Sequence, residues 1–321
     1  MTSVSIVVPA WNEATVLEGT LEALLHISYA KDKCELIVVA GGDDETHETA
    51  ARLSARVSDF SRYVVILQAP DGKNAAIQQG IKAARNEMIV LLDADTVVSR
   101  QWLKEMIGPI ERDDCDLTVA NSEPLTCNWV SDYYMITKAF LLETLTMFPG
   151  GSIAFPASKV RSLLEHFFDR EVRAGVDYLL MKRFSEMGFR VMFAKEARVT
   201  THFPSSLQYF VVSELRWLTA FYDIEGIRAR ALASNVAVIV ALIFTFPVHK
   251  TLFLLSLVFH ALYVGKKTRV FWMGSRRFDT RLIRVFGFIL LSYIYQLLGF
   301  IAQMKVLMGV SRQNRLRQGQ R

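Results

Sequence analysis

Short apolar runs alternate with amphipathic stretches through the first hundred residues. Ser5-Ile6-Val7-Val8 is the first run, and it is expected to stop at Pro9, because proline cannot donate into the ladder of a central strand. Val16, Leu17, Leu21, Leu24 and Leu25 then recur at helical spacing. A second run, Glu35-Leu36-Ile37-Val38-Val39, ends in Ala40-Gly41-Gly42-Asp43-Asp44-Glu45-Thr46, with a helix predicted to begin near Thr46. A third, Tyr63 to Leu67, leads into Asp71-Gly72-Lys73-Asn74-Ala75-Ala76 and a helix through Ile77 and Ile81. The fourth is Met88-Ile89-Val90-Leu91-Leu92. Strands that are apolar on both faces and separated by helices predict an α/β fold, a mostly parallel sheet with helices on both faces.

The pattern changes after residue 204. Residues 205–230, with Tyr209, Phe210, Trp217, Phe221 and Tyr222, are aromatic and amphipathic, and read as interfacial helices lying along a membrane surface. Residues 231–248 carry no charge, 251–265 form a second apolar run, and 285–304 form a third without a charge. The first and third are long enough to cross a bilayer core, and the second is short but can cross with its flanks snorkelling. The expected organisation is therefore a domain over 1–204, interfacial helices over 205–230, a C-terminal helical transmembrane region over 231–310 with two or three crossings, and a basic tail over 311–321.

Charge orients this arrangement. The net charge is +5 and the pI about 9.1. Lys266, Lys267, Arg269, Arg276, Arg277, Arg281 and Arg284 lie between the second and third runs, with Asp279 the one acid among them. Such a loop stays cytoplasmic, which puts the N-terminal domain on the cytoplasmic side of the cell membrane. A third crossing would export Arg312, Arg315, Arg317 and Arg321, against the same rule. No nucleic-acid recognition motif accompanies the basic residues, so the charge reads as membrane contact. The composition is 51% hydrophobic, with a mean hydropathy of +0.24. No apolar signal segment precedes the first strand. Cys34, Cys115 and Cys127 are widely spaced and odd in number, which argues against a disulfide framework and fits a reducing compartment.

Candidate chemistry begins where the fourth run ends, at Asp93-Ala94-Asp95. A turn at a strand end can aim two carboxylates at one point, and paired hard oxygen donors suit Mg²⁺ or Mn²⁺ holding phosphates. The carboxyl end of a strand in an open α/β sheet is also where ligands bind. A solvated turn is the plainer alternative for an isolated Asp-x-Asp.

Three stretches together, Val8-Pro9-Ala10-Trp11-Asn12-Glu13, Gly72-Lys73-Asn74-Ala75-Ala76-Ile77-Gln78-Gln79-Gly80-Ile81 and Leu91-Leu92-Asp93-Ala94-Asp95, resemble the inverting family 2 glycosyltransferases with a GT-A fold. The resemblance covers roughly residues 1–225. It implies a GT-A nucleotide-sugar-binding domain, a UDP- or GDP-sugar donor, and one inverting displacement at the sugar. Asp93 and Asp95 would hold Mg²⁺ or Mn²⁺. Pro9, Asn12, Glu13, Asp43 and Asp44 would line the nucleoside pocket, with Lys73 beside the leaving nucleotide. Where the family commonly has an Asp-Asp-Gly-Ser-like turn, this chain has Ala40-Gly41-Gly42-Asp43-Asp44, so an acidic contact to the nucleoside is displaced onto Asp43 or Asp44. Gly150-Gly151-Ser152-Ile153-Ala154-Phe155 looks like the family's Gly-rich segment near the acceptor, or else is an ordinary turn before a strand. Family members carry a Glu-Asp pair and use its Asp as base. Here Val176-Asp177 keeps only the Asp, whose alternative reading is a helix cap. In Ser213-Glu214-Leu215-Arg216-Trp217, Ser213 replaces the Gln of Gln-x-x-Arg-Trp. Arg216 and Trp217 remain, to pair with a leaving diphosphate and wall an acceptor site, or to anchor a helix at lipid headgroups. His202 is a candidate third metal ligand, or else a structural histidine, the commoner role of a lone His.

The function implied is transfer of a sugar to a lipid-linked acceptor at the cytoplasmic membrane face. Two alternatives stand beside it: a polymerising polysaccharide synthase, and a non-catalytic nucleotide-sugar-binding membrane protein.

Overall fold

A computed structural model describes residues 1–135, 151–161, 175–227 and 282–309, together with Leu232 and Val236. The chain divides into two compact units, Met1–Leu125 with Leu145–His202, and Thr126–Thr144 with Phe203–Arg321. The boundary after His202 falls close to the expected 204. That the segment from Thr126 belongs with the C-terminal residues is new.

In the first unit the strands are β1 (Val4–Trp11), β2 (Cys34–Gly41), β3 (Arg62–Leu67), β4 (Met88–Leu92), β5 (Val97–Val98), β6 (Leu117–Pro124), β7 (Ser152–Pro156) and β8 (Val191–Thr201). They form one sheet in the order β3-β2-β1-β4-β7-β6-β8-β5. Pairing is parallel from β3 to β4. The strand β7 runs antiparallel to both β4 and β6, and β8 lies parallel to β6. The helices are α1 (Ala14–Leu25), α2 (Thr46–Arg52), α3 (Lys73–Ala83), α4 (Trp102–Glu111), α5 (Ser158–Arg161) and α6 (Val176–Glu186).

Alternation along the strands sorts the core. Ile6, Val8, Leu36, Val38, Val90 and Leu92 point to one face and pack with Leu17, Leu21 and Leu24 of α1 and Trp102, Leu103 and Met106 of α4. On the other face, α3 brings Gly80 against Val7 and Val39. Because both faces are covered, β2 and β4 are buried at every position, which is why they read as unbroken apolar runs. Each fully buried aliphatic side chain contributes on the order of 1.5–3 kcal/mol of transfer free energy.

One expectation is corrected. The strand β1 continues through Pro9 to Trp11, with Pro9 opposite Val39. Its pairing with β4 ends at Val7, so beyond that point β1 is laddered on one side only, and the missing N–H of Pro9 has a side where no bond is lost.

In the second unit, α7 (Leu207–Glu225) packs against α8 (Leu282–Leu307), and Phe210, Leu218 and Tyr222 bury with Leu291, Leu298 and Ala302. Val130 and Tyr133 join this core. The Ser206 side chain caps α7 by accepting from the Tyr209 N–H at 3.2 Å. The apolar runs 231–248 and 251–265 lie outside the described residues, apart from Leu232 and Val236. The third run forms α8, a helix of 26 residues. Among the described residues no helix is long and apolar enough to cross a membrane; the side chains of 282–289 and 292 fall outside that set.

Candidate active site

The carboxyl ends of β1, β2 and β4 collect the predicted first-unit residues. Asn12 follows β1 with a positive φ of 57°. Its side-chain Oδ1 accepts from the Asp43 N–H at 2.7 Å, and its own N–H donates to the Gly41 carbonyl at 3.1 Å. Gly42 makes this lock feasible: its φ is +128°, and a Cβ there would stand 2.1 Å from Asn12 Oδ1. The Ala40-Gly41-Gly42 departure thus builds a tight join between the β1 and β2 ends. Asp44 holds helix starts: its carboxylate accepts from the Ala14 N–H at 3.1 Å and the Thr46 N–H at 3.0 Å. The Thr46 hydroxyl, foremost among its hydrogen bonds, keeps the Asp44 carboxyl below its ordinary range. Asp43 is exposed.

The Asp93-Ala94-Asp95 turn is pinned on several sides. Asp93 O accepts from the Thr96 N–H at 3.2 Å, and Ala94 O accepts from the buried Thr20 hydroxyl at 2.6 Å. Asp93 and Gly151 exchange two bonds: the Asp93 N–H donates to Gly151 O at 2.8 Å, and the Gly151 N–H donates to Asp93 Oδ2 at 2.9 Å. Gly151 has a φ of +97°, and a Cβ on it would approach Ser122 Oγ to 2.8 Å, so glycine is required there. The Gly-rich segment therefore acts, at Gly151, as a support for Asp93. Asp95 Oδ1 accepts from the Thr96 and Thr201 hydroxyls, each at 3.3 Å.

Lys73 and Asp177 complete the cluster. Lys73 opens α3 just after Gly72, whose φ is 89°. Its Nζ lies 2.7 Å from Asp93 Oδ1 and 3.1 Å from Asp177 Oδ1. Asp177 sits in the first turn of α6, where Gly175 occupies the N-cap in the left-handed region and no side chain caps the helix. Its carboxylate reaches Lys73 across the fold, so the capping alternative is not the contact seen. Lys73 and Asp177 each retain 33% exposure, which leaves the pair open to a ligand arriving from solvent.

The electrostatics follow from a mismatch in numbers. Among the described residues the carboxyl groups of Glu13, Asp93, Asp95 and Asp177 gather around Lys73, with His202 as a further cationic influence on Asp95. Burial, then the charges of Asp95 and Asp93, pushes Glu13 up to about 7. Burial, then Asp93, raises Asp95 too, opposed by the charges of Lys73 and His202. Asp177 is also raised, burial and Asp93 outweighing Lys73. Burial alone would lower Lys73, but Asp177 and Asp93 overcome it and hold the ammonium protonated.

Carboxyl groups clustered at partly exposed positions suit a divalent cation. Among the described residues no three His, Cys, Asp or Glu side chains are grouped so as to hold a metal by themselves. Two carboxylates whose remaining ligands come from a phosphate or water are nonetheless an ordinary donor set for Mg²⁺ or Mn²⁺. The residues therefore fit such an ion when it arrives with a phosphorylated ligand. His202 is exposed, and its charge acts on Asp95.

The family model described as "Glycosyl transferase family 2" matches residues 5–168. The chain belongs to that family. It is 31% identical over 121 residues to the glycosyltransferase AglE of Haloferax volcanii, covering 37% of this chain and 39% of that protein. It is 26% identical over 232 residues to a probable glycosyltransferase of Sulfolobus acidocaldarius, covering 66% of this chain and 48% of that protein. The chain thus spans less than half the length of these relatives. In fold it matches the mannosyltransferase PcManGT from Pyrobaculum calidifontis, solved in complex with GDP-Man and Mn²⁺. The TM-score is 0.65 and the identity 18%, over 94% of this chain and 87% of that one. The mixed α/β, GT-A-like architecture expected above is the one found.

Two predicted residues belong to the second unit. Arg216 is exposed on α7, and Trp217 stacks on Phe221 with ring centroids 5.4 Å apart. Sequence reasoning assigned no role to Trp11, which ends β1 at 37% exposure with its ring against Gly41. An exposed aromatic at a strand's carboxyl end was the signal available. The support given to Asp95 by Thr201 was also missed, since the pairing of β8 cannot be seen from local pattern.

Proposed function

We propose that the chain transfers a sugar from a UDP- or GDP-sugar to a lipid-linked acceptor at the cytoplasmic membrane face, with inversion and with a divalent metal. The observation that carries this reading is the meeting of Asp93, Asp95, Asp177 and Lys73 at one pocket on the sheet's carboxyl edge. Asp93 and Asp95 would hold Mg²⁺ or Mn²⁺, which, when bound, offsets charge on the departing diphosphate. Asp177 takes the proton from the acceptor hydroxyl as that oxygen attacks the anomeric carbon. The new carbon–oxygen bond forms as the bond from that carbon to the diphosphate breaks, and a single displacement inverts the centre. The raised affinity of Asp177 for a proton suits this role. Trp11 offers a flat face to the nucleobase, with Asn12 and Asp43 at its edge. The GDP-Man and Mn²⁺ of the Pyrobaculum relative support a nucleotide-sugar donor and a divalent ion.

Membrane attachment is part of the same reading. Leu207, Tyr209 and Val212 on α7, and Leu290 and Leu297 on α8, are exposed apolar side chains. With the uncharged runs 231–248 and 251–265 and the basic residues after them, they favour contact with a bilayer and its anionic headgroups. Radiolabelled donor sugar supplied to the full chain with a membrane lipid extract should appear in the organic phase. The anomeric coupling of the product would report its configuration. Label that stays water-soluble, or a retained configuration, would sink the lipid-acceptor or the inverting part respectively.

A further inference from the structure

We infer that Lys73 is a built-in cation that occupies the carboxylate pocket until the donor arrives, making divalent-metal binding depend on the donor. This rests on the functional reading above for Asp93 and Asp177. The Lys73 ammonium stands 2.7 Å from Asp93 Oδ1 and 3.1 Å from Asp177 Oδ1, bridging the metal-side carboxylate and the proposed base. Asp93 Oδ2 is already taken by the Gly151 N–H at 2.9 Å. Both Asp93 oxygens are therefore engaged, and a divalent ion approaching Asp93 meets a resident positive charge. Removal of that charge takes away the ammonium that opposes the mutual repulsion of Asp93, Asp95 and Glu13.

A diphosphate changes the balance. Its oxygens give Lys73 a new anionic partner and give the metal the ligands that two carboxylates cannot supply. Lys73 lies at the N-terminus of α3 on a long flexible stem, so its ammonium can exchange Asp93 for a phosphate oxygen without backbone movement. The same exchange withdraws Lys73 from Asp177 and frees the Oδ1 that it occupies for the acceptor hydroxyl. Lys73 is in this sense a positioning residue: it couples loading of the donor to readiness of the base, and disfavours metal in a pocket without substrate.

The test is Mn²⁺ binding to the full chain in detergent without donor, followed by loss of the free-ion electron paramagnetic resonance signal. Wild type should bind weakly. Lys73→Met should bind at least about tenfold more tightly, the scale on which neighbouring groups tune metal affinity. Lys73→Arg, which keeps the charge, should resemble wild type. Adding Asp95→Asn to Lys73→Met should abolish the gain. Equal or weaker Mn²⁺ binding by Lys73→Met, with an unchanged circular dichroism melt, overturns the inference, as does a gain that survives Asp95→Asn. If wild type releases nucleotide from no donor, the functional reading fails, while the Mn²⁺ comparison still decides the role of Lys73.

Discussion

The two ends of the sheet treat carboxylates in opposite ways. At the amino end, each buried carboxylate is matched. Glu35 accepts from the Ser5 hydroxyl, the Arg85 N–H and Arg62 Nη1, the last at 2.9 Å. These bonds outweigh burial and hold Glu35 below its ordinary range. Asp116, just before β6, is held far below its range by Arg190 and then Lys159. At the carboxyl end, Glu13, Asp95 and Asp177 are raised and share one lysine. The amino end uses carboxylates to fasten elements together. The carboxyl end gathers carboxyl groups whose mutual repulsion raises them and which a cationic ligand would relieve, the usual mark of a functional site.

Substitutions should separate the two ends. Asp177→Asn should lower transfer by about 10²–10⁴-fold, the range of general-base catalysis, with little change in melting temperature. Steady-state nucleotide release beside a thermal melt checks both halves. Asp95→Asn should lower release by about 10²–10³-fold, as the loss of one preorganised electrostatic group does, and should leave stability equal or raised because it relieves repulsion. Glu35→Ala should do the reverse. It takes the acceptor from the Ser5 hydroxyl and the Arg85 N–H and leaves Arg62 only the Ala83 carbonyl, so about 1.5–3 kcal/mol of stability should be lost in denaturant titration while turnover per folded molecule stays near wild type. An activity loss in Glu35→Ala that exceeds its unfolding would erase the distinction.

The smallest effect concerns pH. Glu13 holds its proton in the folded state up to about 7 and in the unfolded state only to the ordinary glutamate range. Between those values the folded state binds more protons, so stability falls as pH rises from about 4.5 to 7. After discounting for solvent screening, the loss should be about 1–2 kcal/mol. Glu35 is shifted down and acts in the opposite sense, its contribution present above its unfolded value and lost as pH falls. Melting curves at pH 5 and 7.5 for wild type and Glu13→Gln should therefore diverge, the variant gaining on wild type at the higher pH. Parallel curves would show that Glu13 does not feel the cluster.

What the sequence made legible follows the same division. The strands β2 and β4 could be read because burial on both faces leaves apolar runs, and Met88–Leu92 emerged with its bounds intact; β3, half-buried at the sheet's edge, was marked by its β-branched and aromatic run Tyr63 to Leu67. The strands β6 and β8 could not. Leu117–Pro124 mixes Asn121, Ser122 and Glu123 into its second half, and β8 alternates exposed with buried positions around a register shift. Their partners are distant in sequence, so no local pattern marks them. At the site, Asp93, Asp95, Lys73 and Asp177 were legible as residues, but the lysine bridge was not, because it joins positions brought together only by the β-α-β winding. Asp44 was expected at the nucleoside and is found holding the starts of α1 and α2. Arg216 and Trp217 belong to the second unit.

The most direct test is metal-dependent nucleotide release. The full chain in detergent is given a panel of UDP- and GDP-sugars, with Mn²⁺ or Mg²⁺, with and without membrane lipid extract, and with Asp95→Asn as control. The account expects release of one nucleotide that needs the divalent ion, rises with lipid and collapses in Asp95→Asn. Release that persists in a chelator and in Asp95→Asn would contradict it.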